Sequence, residues 1–128
     1  TLIQVVEFLE AHHAVKKVFW AYQKGSGQFF KQRAGDGRPG CVVSFEVNGN
    51  FESFYNQLQM LKSPSFGTEF SLCCPYVYLA HYKLLQSKEG LDILNKAGIS
   101  PQLCRLSVGL ENPEDIIQTL QVALQGMD

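Results

Sequence analysis

The sequence lacks an excess of charge of either sign, and it lacks any long hydrophobic run. Its 11 Lys and Arg residues nearly balance its 12 Asp and Glu residues, which gives a net charge of -1 at pH 7. This balance excludes the basic field that attracts nucleic acid or an anionic membrane surface. No apolar stretch reaches the roughly 18–20 residues of a spanning helix, and the first residues lack the basic-then-apolar order of a signal peptide. We therefore expect a cytoplasmic protein with no nucleic-acid partner and no membrane partner.

The sequence also lacks the spacings that mark metal, nucleotide and nucleophile sites. None of the four cysteines pairs with another at C-x-x-C spacing, and the three histidines have no partner at metal-ligand spacing. It has no G-x-S-x-G elbow, Walker loop or dinucleotide fingerprint, and the glycine-rich residues 25–27 and 35–40 are predicted turns. These absences predict no metal site and no nucleotide-binding or nucleophile motif in this chain. The cysteines are expected to be reduced, mostly buried thiols, with a redox role as the alternative.

What the sequence does contain is enough apolar material for one domain: 128 residues, of which 45% are hydrophobic. A period of two predicts strands over residues 15–22, 41–47, 65–74 and 103–110. Helical spacing predicts a first helix after Thr1, further helices over residues 28–34, 51–61, 75–86 and 87–98, and a last helix after Asn112. Because each strand has one apolar side, helices should cover one face of the sheet. We expect an α+β fold, a two-layer α/β sandwich of about four mostly antiparallel strands with helices on one face, formed by residues 1–128 as a single domain.

The other face of the predicted sheet is polar and carries Ser44, Glu46, Ser65, Glu69, Ser71, Arg105 and Ser107. Arg105 lies in the middle of an otherwise apolar strand, and an unpaired charge at such a position is costly to bury. One solution is an internal ion pair with Glu46 or Glu69. The other is that the two-pronged guanidinium binds an external carboxylate or phosphate. The residues alone leave both solutions open.

Several segments resemble one known family in the same order along the chain. The longest match is Leu-Cys-Arg-Leu-Ser-Val-Gly-Leu-Glu at residues 103–111, followed by Pro-Glu-Asp-Ile-Ile at residues 113–117. It is similar to the C-terminal signature of the Cys/Met-metabolism enzymes that depend on pyridoxal phosphate (PLP), the cystathionine gamma-synthase family. Shorter matches are the glycine-led strand at residues 40–47, the Ser-Phe-Gly-Thr loop at residues 65–68 and Gly-Ile-Ser at residues 98–100. The resemblance covers nearly the whole chain.

The resemblance implies that the chain is the small C-terminal, substrate-side domain of a fold-type I PLP enzyme. In that setting Arg105 holds the α-carboxylate of an amino-acid substrate, and Ser65 lines the same pocket. The family's large N-terminal domain supplies the residues that hold PLP, and none of them can be matched in this chain. We therefore expect PLP in the full-length enzyme and none in this fragment, which should be inactive alone, and we expect a homo-oligomer when the enzyme is full length. The start at Thr1 rather than Met fits a chain cut from a longer one.

The resemblance favours one reaction, the replacement of the γ substituent of an O-acylhomoserine by a thiol such as cysteine. This is the cystathionine gamma-synthase reaction, a transferase step of transsulfuration and methionine biosynthesis. Departures from the family pattern at residues 20–22, at Pro64 and at residues 73–75 leave sulfhydrylase and lyase activities open. The alternative from a different class is a stand-alone amino-acid-binding or dimerisation module without catalysis.

Overall fold

A computed structural model describes residues 1–25, 27–35 and 37–127 of the chain, so Ser26 and Asp36, within the predicted turns, lie outside the described residues. The described helices are α1 (Leu2–Ala11), α2 (Gly27–Ala34), α3 (Phe51–Gln57), α4 (Tyr76–Ala80), α5 (Lys88–Lys96) and α6 (Pro113–Gln125), with a 3-10 helix (Tyr82–Gln86) between α4 and α5. The described strands are β1 (Val15–Trp20), β2 (Val42–Val47), β3 (Leu61–Lys62), β4 (Leu72–Pro75) and β5 (Leu103–Ser107).

The strands form one open sheet in the order β1-β2-β5-β4-β3. Strand β5 lies at its centre and runs antiparallel to both β2 and β4, whereas the two-residue β3 runs parallel to β4. The predicted α+β class and the mostly antiparallel sheet are confirmed, and β3 is an addition that the sequence did not predict. Because a central strand is hydrogen-bonded on both sides, its side chains are held by two neighbours.

A helical layer of α1, α3 and α6 covers one face of the sheet, as expected. The sheet contributes the fully buried Val43, Phe45 and Leu106, and the helices contribute residues such as Leu9 and Phe54. Burying side chains of this size stabilises a fold by about 1.5–3 kcal/mol each. This layer is the main hydrophobic core.

Helices also cover one end of the opposite face, beyond the single layer that the sequence predicted. There Val77 of α4, Leu94 of α5 and Leu103 of β5 form a second, smaller buried cluster, against which Phe19 of β1 packs. Helices cover this end because Phe19 and Leu103 are apolar residues on the otherwise polar face. The rest of that face carries Arg105. None of the helices in the described part of the chain is long and apolar enough to cross a membrane.

Several elements are shorter in the structure than the sequence predicted. The strands predicted over residues 15–22 and 103–110 end at Trp20 and Ser107, and the helix predicted over residues 75–86 is divided into α4 and the 3-10 helix. The predicted strand over residues 65–74 is wrong over residues 65–71, because only Leu72–Pro75 form β4. The alternation over these residues predicts Leu72 and Cys74 on the apolar side and Cys73 on the polar side. This prediction is wrong, because Cys73 packs in the helical core and Leu72 and Cys74 lie on the Arg105 face. The helix predicted over residues 51–61 ends at Gln57, because the chain turns there and enters β3 at Leu61.

Candidate functional site

Arg105 lies in the middle of the central strand β5. Its cross-strand partners are Ser44 on β2 and Cys74 on β4, so all three side chains lie on the sheet face away from the main helical layer. The arginine side chain is half-buried. Since β5 is paired on both sides, the backbone that carries the guanidinium is rigid.

Neutral groups contact the Arg105 guanidinium. Its Nη2 atom donates a hydrogen bond of 2.6 Å to the backbone carbonyl of Pro64. Its Cζ atom lies 5.2 Å from the ring centroid of Phe66 and 5.4 Å from that of Tyr76, within the range of cation–π attraction. These three groups hold the guanidinium without cancelling its charge.

The internal ion pair that the sequence left open is not formed. Glu46 is 4% exposed, and its Oε1 atom instead accepts a hydrogen bond of 3.3 Å from the backbone N–H of Ser100. Glu69 is exposed on the segment before β4 and makes no contact with Arg105. Within residues 1–25, 27–35 and 37–127, no carboxylate pairs with Arg105. Its positive charge is therefore uncompensated by the described chain, which suits an anionic ligand.

Cys74 lies beside Arg105 but is not an activated nucleophile. Burial raises the pKa of the Cys74 thiol, the neighbouring Cys73 adds to that effect, and the Arg105 guanidinium opposes it without reversing it. The thiol is therefore neutral at physiological pH, and the nucleophilic form of a cysteine is the thiolate. This position contributes packing under the arginine, and all four cysteines are free thiols.

Ser65, the second predicted substrate-binding residue, lies next to the carbonyl that Arg105 binds. Its backbone N–H donates to the Ser63 hydroxyl at 3.2 Å, so that donor is already used within the segment. Its side chain is exposed, and its hydroxyl makes no hydrogen bond to any described residue. The structure thus brings Ser65 and Arg105 to the same part of the sheet face, with the serine hydroxyl as the donor that stays available.

The segment of residues 63–71, which we call the arginine loop, is bonded to the end of β5 and to the residues after it at three points. The Gly67 N–H donates to the Ser107 hydroxyl at 2.9 Å, and the Glu69 carbonyl accepts from the Leu110 N–H at 2.7 Å. Further along, the N–H and hydroxyl of Ser71 donate to the Glu111 carboxylate at 2.6 and 2.9 Å, and the Ser71 hydroxyl accepts from the Gly109 N–H at 2.9 Å. These bonds join residues about 40 positions apart and place Pro64 and Phe66 against the guanidinium.

Sequence patterns placed Ser71 and Ser107 on the polar face but missed the contributions of Phe66, Tyr76 and Glu111. Glu111 is the last residue of the motif at residues 103–111, and that position was the sequence signal that could have identified it. Nothing in the sequence links the two aromatic residues to Arg105, and their place beside it follows from the path of the loop for Phe66 and from the start of α4 for Tyr76. Among the described residues, no group of three or more His, Cys, Asp or Glu side chains could hold a metal ion.

Comparisons with known proteins show what this chain is similar to. A family model described as "Cys/Met metabolism PLP-dependent enzyme" matches residues 1–125. The L-2-amino-4-chloropent-4-enoate dechlorinase/desaturase of Streptantibioticus cattleyicolor is 33% identical over 126 residues, which are 97% of this chain and 25% of that protein. The cystathionine gamma-synthase of Neurospora crassa is 31% identical over 124 residues, 94% of this chain and 19% of its own length.

The fold is also similar to that of a solved structure. The crystal structure described as cystathione gamma lyase (CalE6) from Micromonospora echinospora superposes with a TM-score of 0.80 at 29% identity, over 98% of this chain and 32% of that one. The chain therefore spans about a fifth to a third of the length of these proteins.

Proposed function

This chain belongs to the Cys/Met-metabolism family of PLP-dependent enzymes, and from that premise we propose that it is the C-terminal, substrate-side domain of such an enzyme. In this proposal Arg105 binds the α-carboxylate of an amino-acid substrate, and the Ser65 hydroxyl contributes to the same site. A preceding domain holds the cofactor, and the full-length enzyme is a homo-oligomer.

One observation carries the proposal: the guanidinium on the central strand has no anionic partner in the described chain. A planar guanidinium matches a planar carboxylate with two parallel N–H donors. The bond to the Pro64 carbonyl takes up one of the five N–H donors of the guanidinium, and Cys74 is a second hydrogen-bond partner, so further donors remain for a ligand. An α-carboxylate held in this way has a fixed position and direction, which orients the rest of the substrate for reaction.

The described residues do not fit the cofactor itself. A PLP enzyme needs a lysine that forms a Schiff base with the cofactor, and such lysines lie in buried, cofactor-lined sites. All eight lysines of this chain are exposed, and Lys62 Nζ donates to the Leu58 carbonyl at 2.9 Å. When bound to the complete enzyme, PLP supplies the electron sink for the reaction. In this proposal the described residues supply the carboxylate end of the substrate site.

For the reaction, we propose cystathionine gamma-synthase-like γ-replacement, in which a thiol such as cysteine displaces the acyl group of an O-acylhomoserine. The fungal relative that bears the name cystathionine gamma-synthase supports this choice. The substrates of gamma-synthases, lyases and sulfhydrylases all carry an α-carboxylate, so the role proposed for Arg105 is common to them. The choice between these reactions is made by residues that contact the substrate side chain.

Substitution of Arg105 in the full-length enzyme tests the proposal. Hydrogen bonds to charged groups contribute about 1.5–3 kcal/mol, which is roughly 10- to 150-fold in kcat/KM. We expect Arg105→Ala to lower kcat/KM by at least about tenfold, with PLP still bound and the melting temperature retained. Arg105→Lys should rescue poorly, because an ammonium cannot reproduce the paired donors.

The matched control is Arg33→Ala, which removes an exposed arginine from the last turn of α2, and it should leave kcat/KM unchanged. A purely structural role for Arg105 predicts the reverse pattern, a lower melting temperature with normal kinetics in the folded enzyme. Wild-type kcat/KM in a stably folded Arg105→Ala enzyme removes Arg105 from the substrate site.

A further inference from the structure

We propose that Phe66 and Tyr76 are positioning residues that hold the Arg105 guanidinium in the orientation that receives the substrate carboxylate. The two rings, which we call the aromatic clamp, come from different elements, the arginine loop and the first turn of α4. This inference rests on the carboxylate-binding role proposed above for Arg105, and it assigns function to residues outside that role.

The chemistry of the clamp explains why rings, and not a carboxylate, hold this arginine. The negative face of an aromatic ring attracts a guanidinium through its charge. The ring does not take up the N–H donors in the plane of the guanidinium, which are the donors that a carboxylate accepts from. An internal carboxylate would occupy the same donors and compete with the substrate. Two rings at 5.2 and 5.4 Å restrict the long arginine side chain while leaving its paired donors available.

Both rings are themselves held in place. Phe66 precedes Gly67, whose N–H donates to the Ser107 hydroxyl two residues beyond Arg105 on the same strand. Tyr76 follows directly on β4 and packs edge-to-face on His81, with ring centroids 5.6 Å apart. The clamp is therefore anchored to the strand that carries Arg105 and to the neighbouring strand of the sheet.

The exposure of Phe66 indicates that the fold does not depend on it. Phe66 is 61% exposed and lies outside both buried clusters, so its truncation opens no cavity in the core. Its contact with Arg105 is thus the interaction that a substitution removes. The same loop contains a natural control: Phe70, which is 48% exposed and does not contact Arg105.

The test measures how strongly the PLP-loaded, full-length enzyme discriminates a carboxylate from an amide. Isothermal titration calorimetry gives the Kd of L-norvaline and of L-norvalinamide, and the Kd of the amide divided by that of the amino acid reports the contribution of the carboxylate. Any effect of the amide on the amino group is common to all variants and cancels when variants are compared. The variants are Phe66→Leu, Tyr76→Leu and the double variant. The matched controls are Phe70→Leu and Tyr78→Leu, since Tyr78 is also on α4 but stacks on Phe51.

We expect each clamp variant to lower the Kd ratio about two- to fivefold and the double variant to lower it about tenfold. The controls and the conservative Tyr76→Phe should retain the wild-type ratio. In an Arg105→Ala background the clamp substitutions should have no further effect, because the residue they position is gone.

The outcomes separate this inference from the function on which it rests. If Arg105→Ala retains the wild-type Kd ratio, Arg105 does not bind the carboxylate, and the proposed role of the clamp is wrong as well. If Arg105→Ala loses the discrimination while both clamp variants keep it, the clamp is overturned and the role of Arg105 stands. A clamp effect of equal size with and without Arg105 also overturns the clamp, since the rings then act directly or through general stability.

Discussion

Arg105 is hydrogen-bonded through its backbone to strands on both sides, so its side chain leaves the sheet in a fixed direction. A charged residue inside an apolar strand is visible in the sequence, and the need for a partner follows from the cost of burying charge. Its actual neighbours, the Pro64 carbonyl and two aromatic rings, were not predictable. They come from a loop and a helix whose positions depend on contacts that are distant in sequence.

Gly109 shows a second requirement at the scale of one residue. A Cβ atom at this position would lie 2.5 Å from the Glu111 Oε2 atom and from the Phe70 backbone carbon, and 2.6 Å from the Glu69 carbonyl oxygen. Glycine therefore permits the close approach of the arginine loop to the end of β5. The glycine in the Arg-Leu-Ser-Val-Gly sequence thus has a packing reason that is linked to the candidate site.

We predict that Gly109→Ala destabilises the protein by about 1–3 kcal/mol, because the backbone of the arginine loop has to move away. Thermal melting of the variant measures this loss. The control is Leu110→Ala at the next position, which is 83% exposed and should change stability by less than about 0.5 kcal/mol. Equal melting temperatures for wild type and Gly109→Ala would contradict this close packing of the loop against the strand end.

The arginine loop is the element that sequence patterns described least well. Residues 65–74 alternate in polarity like a strand, yet only Leu72–Pro75 pair with β5. The preceding residues bond instead to the side chains of Ser107 and Glu111. Alternating polarity indicates that a segment favours the strand conformation, but it does not indicate which distant side chains will hydrogen-bond to its backbone. A loop held by such side chains therefore cannot be recognised from its sequence.

Elements with strong local signals were predicted more accurately. The last helix, α6, begins at Pro113 after an Asn112 cap whose side chain accepts from the Glu114 N–H at 3.0 Å, as its sequence indicated. Helix α3 begins as predicted after Asn50, whose side chain accepts a hydrogen bond of 3.0 Å from the Ser53 N–H. It ends early, at Gln57, because Leu58 has an extended backbone and the chain enters β3 at Leu61. Local chemistry predicted where these helices begin, whereas the end of α3 depends on where the chain turns toward the edge of the sheet.

The bond between the arginine loop and Glu111 predicts a pH dependence of stability. Burial raises the pKa of Glu111, but the hydrogen bonds from Ser71 outweigh burial and lower the pKa below its ordinary value of 4.5. A carboxyl whose pKa is lowered on folding stabilises the protein above its unfolded pKa. That contribution is lost as the pH falls through the lower folded value.

We therefore predict that wild type is more stable than Glu111→Gln at pH 7, by about 1 kcal/mol after allowance for partial exposure. The difference should shrink progressively below pH 4.5, which melting curves between about pH 3 and pH 7 will show. Glu69→Gln, a change at an exposed carboxylate of the same loop, should follow the wild-type curve. A Glu111→Gln variant whose difference from wild type stays constant down to the acid end of that range would contradict the predicted direction of the pH effect.

At the scale of the whole molecule, the two faces of the sheet have different roles. One face is buried against α1, α3 and α6 and supplies the main core. The other face has a smaller buried cluster at one end and presents Arg105 beside it. The fold class and the family follow from sequence patterns, since both depend on periodicity and on one long motif. The arrangement of the site does not, because it depends on how a loop, a helix and the central strand come together.

The central claim is that Arg105 binds the substrate α-carboxylate, and a crystal structure of the full-length, PLP-loaded enzyme with L-norvaline bound tests it most directly. The account predicts that both carboxylate oxygens lie about 2.7–2.9 Å from two guanidinium nitrogens of Arg105. It also predicts that the Pro64 carbonyl still accepts its hydrogen bond and that the Ser65 hydroxyl faces the ligand. A carboxylate held by other residues, with Arg105 more than about 4 Å away, would contradict the claim.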